Sequence, residues 1–347
     1  MNELDNKTTM IRRVTASLLQ LVLLTSIFVT LTPSGLTAQD VVVMKRPKSP
    51  GTMNRKGRIT KWQGTQLTIN TGSRDVTIEN DQIVSIQSAW PVEYTKAKTF
   101  VSEGRNDLAA DWFQQALDKE TRPWAQTVIR SRLVNLHLLV NRVDAAAEQF
   151  LGIIQADRYS RFTHLAPLAW TNSTQRFGRA DEWMASKEPI IQLVGASWGL
   201  NSPSRNQAIE VLESLSEDID PRVSGMAIAQ LWRTRPKPSV RQLEVWSQSV
   251  DEMPDSIQAG PLFVLANLQS QNGLKDEAMI NWMKVVSVHP DQSPLVSASL
   301  YQSGKLLSRD PNQTSEAQAI WSELQKRFPK SSWAKLAQAQ RSTNQQK

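Results

Sequence analysis

The sequence has 347 residues, 40% of them apolar, which is enough for one long or two modest folded domains. It contains no cysteine, which excludes disulfides, a thiol nucleophile and a lipidated cysteine. The formal charge is +7, but the surplus of basic residues lies in residues 41–74, a segment without acidic residues. The rest of the chain is nearly balanced, so the charge describes a local patch.

The N-terminal residues have the pattern of an export signal. Arg12 and Arg13 precede Val14–Thr32, a stretch without charged residues, and Thr37-Ala38-Gln39 is compatible with a cleavage site. We therefore predict a signal peptide over residues 1–39. The alternative is an uncleaved signal anchor in the inner membrane through residues 14–32, because about 20 apolar residues can span a bilayer. Both interpretations predict export, periplasmic or secreted, and a large exported domain without cysteine favours the bacterial envelope.

Residues 40–56 are predicted to form a flexible basic arm, because lysines and arginines alternate there with Pro47, Pro50 and Gly51. One interpretation is a solvated linker. The other is a surface that binds an anionic envelope polymer or anionic lipid head groups. The candidate residues of this surface, which continues into the next segment, are Lys45, Arg46, Lys48, Arg55, Lys56, Arg58 and Lys61.

Residues 57–88 change to a period of two. Four short runs that mostly alternate apolar and polar residues are separated by turns such as Gln63-Gly64 and Thr71-Gly72-Ser73. This pattern predicts a small four-stranded antiparallel β domain, a meander or an SH3-like barrel. Small barrels often bind nucleic acid, but an exported one would seldom meet any, so we expect a docking or capping role.

Helical periodicity begins after Trp90-Pro91, and its clearest form is Ala97–Leu117. Gly104 ends a first short helix and suits the turn to a second one. Ala109, Phe113 and Ala116 then recur at i, i+4 and i+7, which places a small, a large and a small residue on one stripe. A hairpin this short cannot bury its apolar face alone, so it needs neighbouring hairpins.

The same pattern returns along the chain. The later copies contain Asn141, Ala146, Phe150 and Ile153; Gly273, Ala278, Trp282, Val285 and Pro290; and Ala317, Trp321, Leu324 and Pro329. In these positions the chain resembles the tetratricopeptide repeat, while Asp218–Val223 in the middle is similar to the turn of a HEAT repeat. The predicted fold is mainly α: an α-solenoid of stacked helical hairpins over residues 90–340, with a disordered tail at 341–347.

The resemblance to tetratricopeptide repeats implies a groove that binds a peptide or a partner helix. Asn135 and Asn267 occupy matching places on first helices, where peptide-binding members of the family use asparagine to contact the ligand backbone. Lys98 and Arg132 are nearby cations. The alternative interpretation is that these four residues are ordinary surface polar groups.

No pattern in the sequence indicates catalysis. The three histidines are not at metal-ligand spacing, and there is no nucleophile elbow, phosphate loop or dinucleotide fingerprint. We therefore expect no enzyme, no metal and no cofactor. The predicted function is a non-catalytic scaffold or adaptor for a protein partner, and the alternative is binding to an anionic polymer or a membrane surface through the basic residues named above.

Overall fold

The computed structural model describes residues 39–47, 49–172, 176–235 and 237–345. In this part of the chain, an antiparallel sheet of five strands is followed by 14 α-helices. The predicted signal peptide, apart from its last residue, and Lys48 lie outside these ranges. None of the helices within them is both long and apolar enough to cross a membrane.

The sheet has the strand order β4-β3-β2-β1-β5. The strands are β1 (Asp40–Lys45), β2 (Thr52–Gln63), β3 (Gln66–Asn70), β4 (Asp75–Glu79) and β5 (Ile83–Gln87). The four strands predicted in residues 57–88 are therefore confirmed as β2 to β5. The sheet contains one further strand, β1, that was not predicted.

The additional strand comes from residues 40–56, which form β1 and the first part of β2 instead of a flexible arm. β1 is an apolar run between two partners: Val42 is opposite Arg55 of β2 on one side and opposite Ile86 of β5 on the other. Val42 is fully buried. The prolines and Gly51 lie in the turn between β1 and β2, so they do not interrupt the strands.

The described residues divide into two compact units. The first contains residues up to Arg58, Asn70–Asp75 and Gln82–Ala89; the second contains Ile59–Ile69, Val76–Asp81 and the residues from Trp90 onward. Within the second unit, the Trp62 ring lies 6.3 Å from the Trp124 ring, and the Arg161 guanidinium lies 4.8 Å from the Trp62 ring centre. The end of the β2–β3 hairpin is thus part of the helical unit.

The helices begin directly after the sheet. They are α1 (Val92–Ser102), α2 (Asn106–Lys119), α3 (Pro123–Leu139), α4 (Val143–Ala156), α5 (Ala180–Met184), α6 (Pro189–Gly199), α7 (Arg205–Leu215), α8 (Pro221–Trp232), α9 (Val240–Glu252), α10 (Ala259–Gln271), α11 (Lys275–Val288), α12 (Ser293–Leu307), α13 (Thr314–Arg327) and α14 (Ser332–Gln345).

Consecutive helices pack as hairpins, which confirms the prediction of helical repeats. Helix α1 packs on α2, α3 on α4, α10 on α11 and α12 on α13, and contacts of α2 with α3 and of α11 with α12 join neighbouring hairpins. The apolar rows of the second helices point into these interfaces. The Ala, aromatic and third positions of the four predicted copies are each 2% exposed or less.

Three of the hairpins contain the same turn. Gly104, Asn141 and Gly273 have φ values of 68°, 65° and 82°, in the left-handed region. In each turn the residue after them donates its N–H to the carbonyl five residues earlier, for example Arg105 N to Phe100 O at 2.9 Å. This pairing satisfies free carbonyls at the helix end and favours Gly or Asn at the turn position.

The first and last hairpins also contact each other. An added Cβ on Gly104 would overlap Pro329 Cγ, and Lys330 Nζ lies 3.2 Å from Asp107 Oδ1. Helix α3 contacts α12. The turn of the first hairpin therefore contacts the loop between α13 and α14, although the sequence pattern predicted contacts only between neighbours in chain order.

Helix α14 extends through Gln345, where we expected a disordered tail from residue 341. Arg341 NH1 donates to Gln325 Oε1 at 2.9 Å on α13. This contact and the alanines and glutamines of α14, which are good helix formers, account for the longer helix.

Candidate functional site

The chain leaves the hairpin pattern between α4 and α5. After a 3-10 turn at Thr163–Leu165, residues 166–172 run without helix or strand. We call residues 166–172 the inner segment. Ala166, Leu168 and Ala169 are each 6% exposed or less, so much of it is buried inside the helical unit.

Side chains of α6 bind the main chain of the inner segment. Ser197 Oγ accepts the Ala169 N–H at 2.8 Å and donates to the Ala169 carbonyl at 3.3 Å. Trp198 Nε1 donates to the Pro167 carbonyl at 2.7 Å. These contacts replace the hydrogen bonds that a buried irregular main chain would otherwise lack.

Arg233, directly after α8, holds the end of the inner segment. It donates to the Thr171 carbonyl at 3.0 Å and to the Ser197 carbonyl at 3.1 Å. The side chain also donates to Gln230 Oε1. Burial lowers the pKa of Arg233 to about 9, with a further contribution from nearby Arg205. The guanidinium is still charged at neutral pH, and the described residues provide no ion pair for it.

A polar cavity of about 310 Å³ adjoins the end of the inner segment. We call it the basic cavity, because three cationic side chains and no acidic one line it. Its lining residues are Trp170, Thr171, Asn172, Arg233, Val264, Asn267, Leu268, Ser270, Gln271, Trp282, Gln302, Lys305 and Arg309.

A second cavity, of about 130 Å³, also borders the inner segment and shares Trp170 and Thr171 with the basic cavity. We call it the apolar cavity. Leu168, Phe263, Leu295 and Trp333 line it together with Asn135 at the end of α3. Asn135 Nδ2 donates to the Asp291 carbonyl at 3.1 Å, so this amide already binds main chain within the molecule.

The four residues predicted to bind a partner do not come together in one site. Asn267 lines the basic cavity and Asn135 lines the apolar cavity. Lys98 is exposed on α1. Arg132 is exposed on α3, where its charge lies close enough to Tyr94 to lower the pKa of that phenol, against the larger effect of burial, which raises it.

Most residues of the predicted basic surface lie on the strands β1 and β2. Lys56 and Arg58 are exposed at alternate positions of β2, whereas Arg55 is half-buried. Arg46 donates from Nε to the Thr52 carbonyl at 3.0 Å. Lys45 is exposed at the end of β1, and Lys61 is exposed on the part of β2 that belongs to the helical unit.

The histidines lie in three different settings. His164 Nε2 lies 3.5 Å from Asp291 Oδ2, and this neighbour lowers the pKa of the Asp291 carboxyl. Burial lowers the pKa of His137 and of His289. Within the described ranges, no group of three or more His, Cys, Asp or Glu side chains could hold a metal ion.

Sequence reasoning missed the residues that shape both cavities. Arg233 is more than 70 residues away from Lys305 and Arg309 in the chain, and Ser197 and Trp198 bind main chain about 30 residues earlier. The only available signal was an irregular stretch between α4 and α5 with Pro167 and Trp170 in it. Neither the models of known protein families nor the curated proteins give a match to this sequence.

Proposed function

We propose that this chain is a non-catalytic scaffold of tetratricopeptide-like hairpins, and that it binds an extended segment of a partner protein. The recurring small–large–small rows and the shared left-handed turns support the tetratricopeptide class. We further propose export to the bacterial envelope, supported by the basic and apolar N-terminal residues and by the absence of cysteine.

The apolar cavity carries this proposal. Its walls combine apolar side chains with polar ones, among them Asn135, His164 and Gln292, an arrangement that favours one apolar anchor and a few oriented polar contacts. An apolar side chain of an extended partner would fill the cavity, and buried anchors of this kind supply most of the free energy at protein interfaces.

The inner segment is an internal example of main-chain binding by the helical unit. Ser197, Trp198 and Arg233 bind an irregular main chain by its carbonyl and N–H groups. Main-chain contacts give affinity without demanding one sequence, and pockets beside them select side chains. The inner segment occupies these groups, so the proposed partner would depend on the apolar cavity and on main-chain contacts beside it.

A peptide selection tests this function. Peptides enriched from a random display library would be measured by fluorescence anisotropy against the protein and against Ala298→Leu, which adds apolar atoms to the cavity wall. Ala298 is 4% exposed and lines the apolar cavity. We expect Ala298→Leu to weaken binding by about tenfold or more, because the anchor loses its space.

The matched control is Ala319→Leu, the same change at an exposed position of α13. It should leave the affinity unchanged. Thermal unfolding of both variants would show whether Ala298→Leu remains folded, since overpacking destabilises by about 1–3 kcal/mol. A selection without enriched peptides, or equal affinity for both variants, would contradict the proposal.

The second candidate function is binding to an anionic polymer or membrane surface. Lys56 and Arg58 favour it, because both are exposed on the same face of β2. Sedimentation with vesicles containing anionic lipid should decrease as salt increases, and Lys56→Gln/Arg58→Gln should reduce it further. Equal sedimentation with neutral vesicles, or no effect of salt and of these substitutions, would exclude it.

A further inference from the structure

We propose that the basic cavity is a binding site for a small molecule that carries an oxyanion, a carboxylate or a phosphate. The basic cavity shares Trp170 and Thr171 with the apolar cavity, but its three cationic residues line the basic cavity alone. The proposal does not depend on the partner segment proposed above. Arg233 follows α8, Lys305 lies in the last turn of α12, and Arg309 follows the end of α12. All three line one cavity of about 310 Å³, which is the size of small-molecule sites.

Two residues that line the basic cavity have buried hydrogen-bond donors without acceptors. Arg233 Nε and Trp282 Nε1 are buried and have no hydrogen-bond partner among the described residues. Both residues line the basic cavity. An arginine or an indole nitrogen can only donate, so a ligand that satisfies these groups must offer acceptor oxygens. A buried donor without a partner destabilises the protein, which makes a bound acceptor favourable.

The positive charge of Arg233 also favours an anionic ligand. Arg233 is 6% exposed, and its contacts are carbonyl and amide oxygens, none of which carries a full negative charge. A helix C-terminus favours nearby cations, and this partly accounts for Lys305 and Arg309. Arg233 also follows a helix end, but it is almost fully buried and its acceptors are all neutral. An oxyanion would neutralise part of this charge with short, charge-assisted hydrogen bonds.

The remaining lining residues indicate a polar organic ligand. Asn267, Gln271 and Gln302 add amide donors and acceptors from α10 and α12. Trp170 packs over Gly260, where an added Cβ would overlap its ring, so its ring forms a wall with little freedom to move. A compact molecule with one or more oxyanions and several hydroxyl or amide groups fits this lining best.

Binding of two probes tests the site. Citrate and inorganic phosphate would each be titrated by calorimetry at constant ionic strength, with sodium chloride as the reference. The indole N–H resonance of Trp282 in ¹H–¹⁵N spectra, assigned with Trp282→Phe, gives a local readout. Binding of citrate alone assigns a carboxylate, binding of phosphate alone assigns a phosphate, and binding of both leaves the oxyanion as the shared chemistry.

Matched variants distinguish the site from general attraction of anions. Lys305→Gln/Arg309→Gln should weaken binding by about tenfold, because two contributing charges are removed. Lys275→Gln/Lys284→Gln removes the same charge from exposed positions of α11 outside the cavity and should change nothing. No binding of either probe, an unchanged Trp282 resonance, or equal losses in the two variants would overturn the proposal, and none of these results bears on peptide binding.

Discussion

In the hairpin α1–α2 the interior is mainly apolar, although Glu93 and Asn106 are also buried. Phe113 is 1% exposed, and its ring meets the Tyr94 ring edge-on at 5.3 Å. Between α4 and α9 the interior also contains polar side chains: Ser197, Gln230 and Arg233 are each 6% exposed or less, and Ser197 and Arg233 bind the inner segment.

The difference explains why one region repeats and the other does not. Apolar packing is not directional, so a small–large–small row serves equally well in every hairpin. Buried polar groups need particular partners in particular directions, and a change in one partner leaves the other unpaired. The following experiments separate these two modes of stabilisation.

The largest effect is expected for Phe113→Ala. Removing a fully buried ring leaves a cavity, and such changes destabilise a protein by about 3–5 kcal/mol. Chemical denaturation followed by circular dichroism would measure the free energy of unfolding. Gln114→Ala, at the half-exposed neighbouring position, is the control and should change it by less than about 1 kcal/mol. A loss below about 1 kcal/mol for Phe113→Ala would show that the ring is not packed.

Arg233→Met tests the polar interior. The substitution removes the hydrogen bonds to the Thr171 and Ser197 carbonyls, so we expect a loss of about 1.5–3 kcal/mol, reduced by the relief of a buried charge. Hydrogen exchange should accelerate in the inner segment and remain slow in α1 and α2. Equal acceleration in both regions would show that Arg233 does not act locally.

Substitutions at two glycines distinguish the cost of backbone strain from the cost of disturbing the contact between the first and last hairpins. Gly104→Ala and Gly273→Ala both place a side chain at a positive φ, which costs roughly 1–2 kcal/mol. Only at Gly104 does the new Cβ overlap Pro329; at Gly273 nothing lies within 4 Å. Gly104→Ala should therefore lose about 1–3 kcal/mol more than Gly273→Ala.

The two glycine variants serve as controls for each other. Thermal unfolding of both, at the same concentration and pH, gives the difference directly. Equal losses would mean that the first and last hairpins do not pack closely in solution.

The smallest effect is expected from pH. Burial lowers the pKa of His137 and of His289, so below the ordinary value of about 6.5 the unfolded chain binds protons before the folded one. Stability should therefore fall as pH decreases through 6.5 and continue to fall until the folded pKa values are passed. The melting temperature between pH 7.5 and 5.5 would show this decrease.

Substitution of both histidines by phenylalanine should remove much of that decrease. His137 and His289 each have a buried ring nitrogen without a hydrogen-bond partner among the described residues, so the neutral ring loses little by replacement. An unchanged pH dependence in the double variant would assign it to groups other than these two histidines.

The hairpins near the two ends of the helical unit could be predicted from the sequence, because the residues that determine them lie close together in the chain. Ala109, Phe113 and Ala116 lie on one helix, and the turn at Gly104 requires a left-handed residue at one position. Asn141 was expected in the same turn position, and its φ of 65° shows why asparagine can replace glycine there.

Strand β1 was missed because its local composition favours a different structure. Lysines, prolines and Gly51 dominate residues 45–51 and indicate a loop, which is correct for the turn but not for the residues on either side. Val41–Met44 becomes a strand because β2 and β5 bind both of its edges. Partners that lie over 40 residues away, as β5 does, leave no periodic signal.

The sequence by itself determined the alternation of strands, turns and helices, since period, caps and left-handed turns depend on neighbours within a few residues. Only the tertiary structure decided that the loop before α14 contacts the first hairpin, that an inner segment lies among the helices, and that Arg233, Lys305 and Arg309 line one cavity. These arrangements join residues tens to hundreds of positions apart. They depend on how the helices stack, which no local pattern specifies.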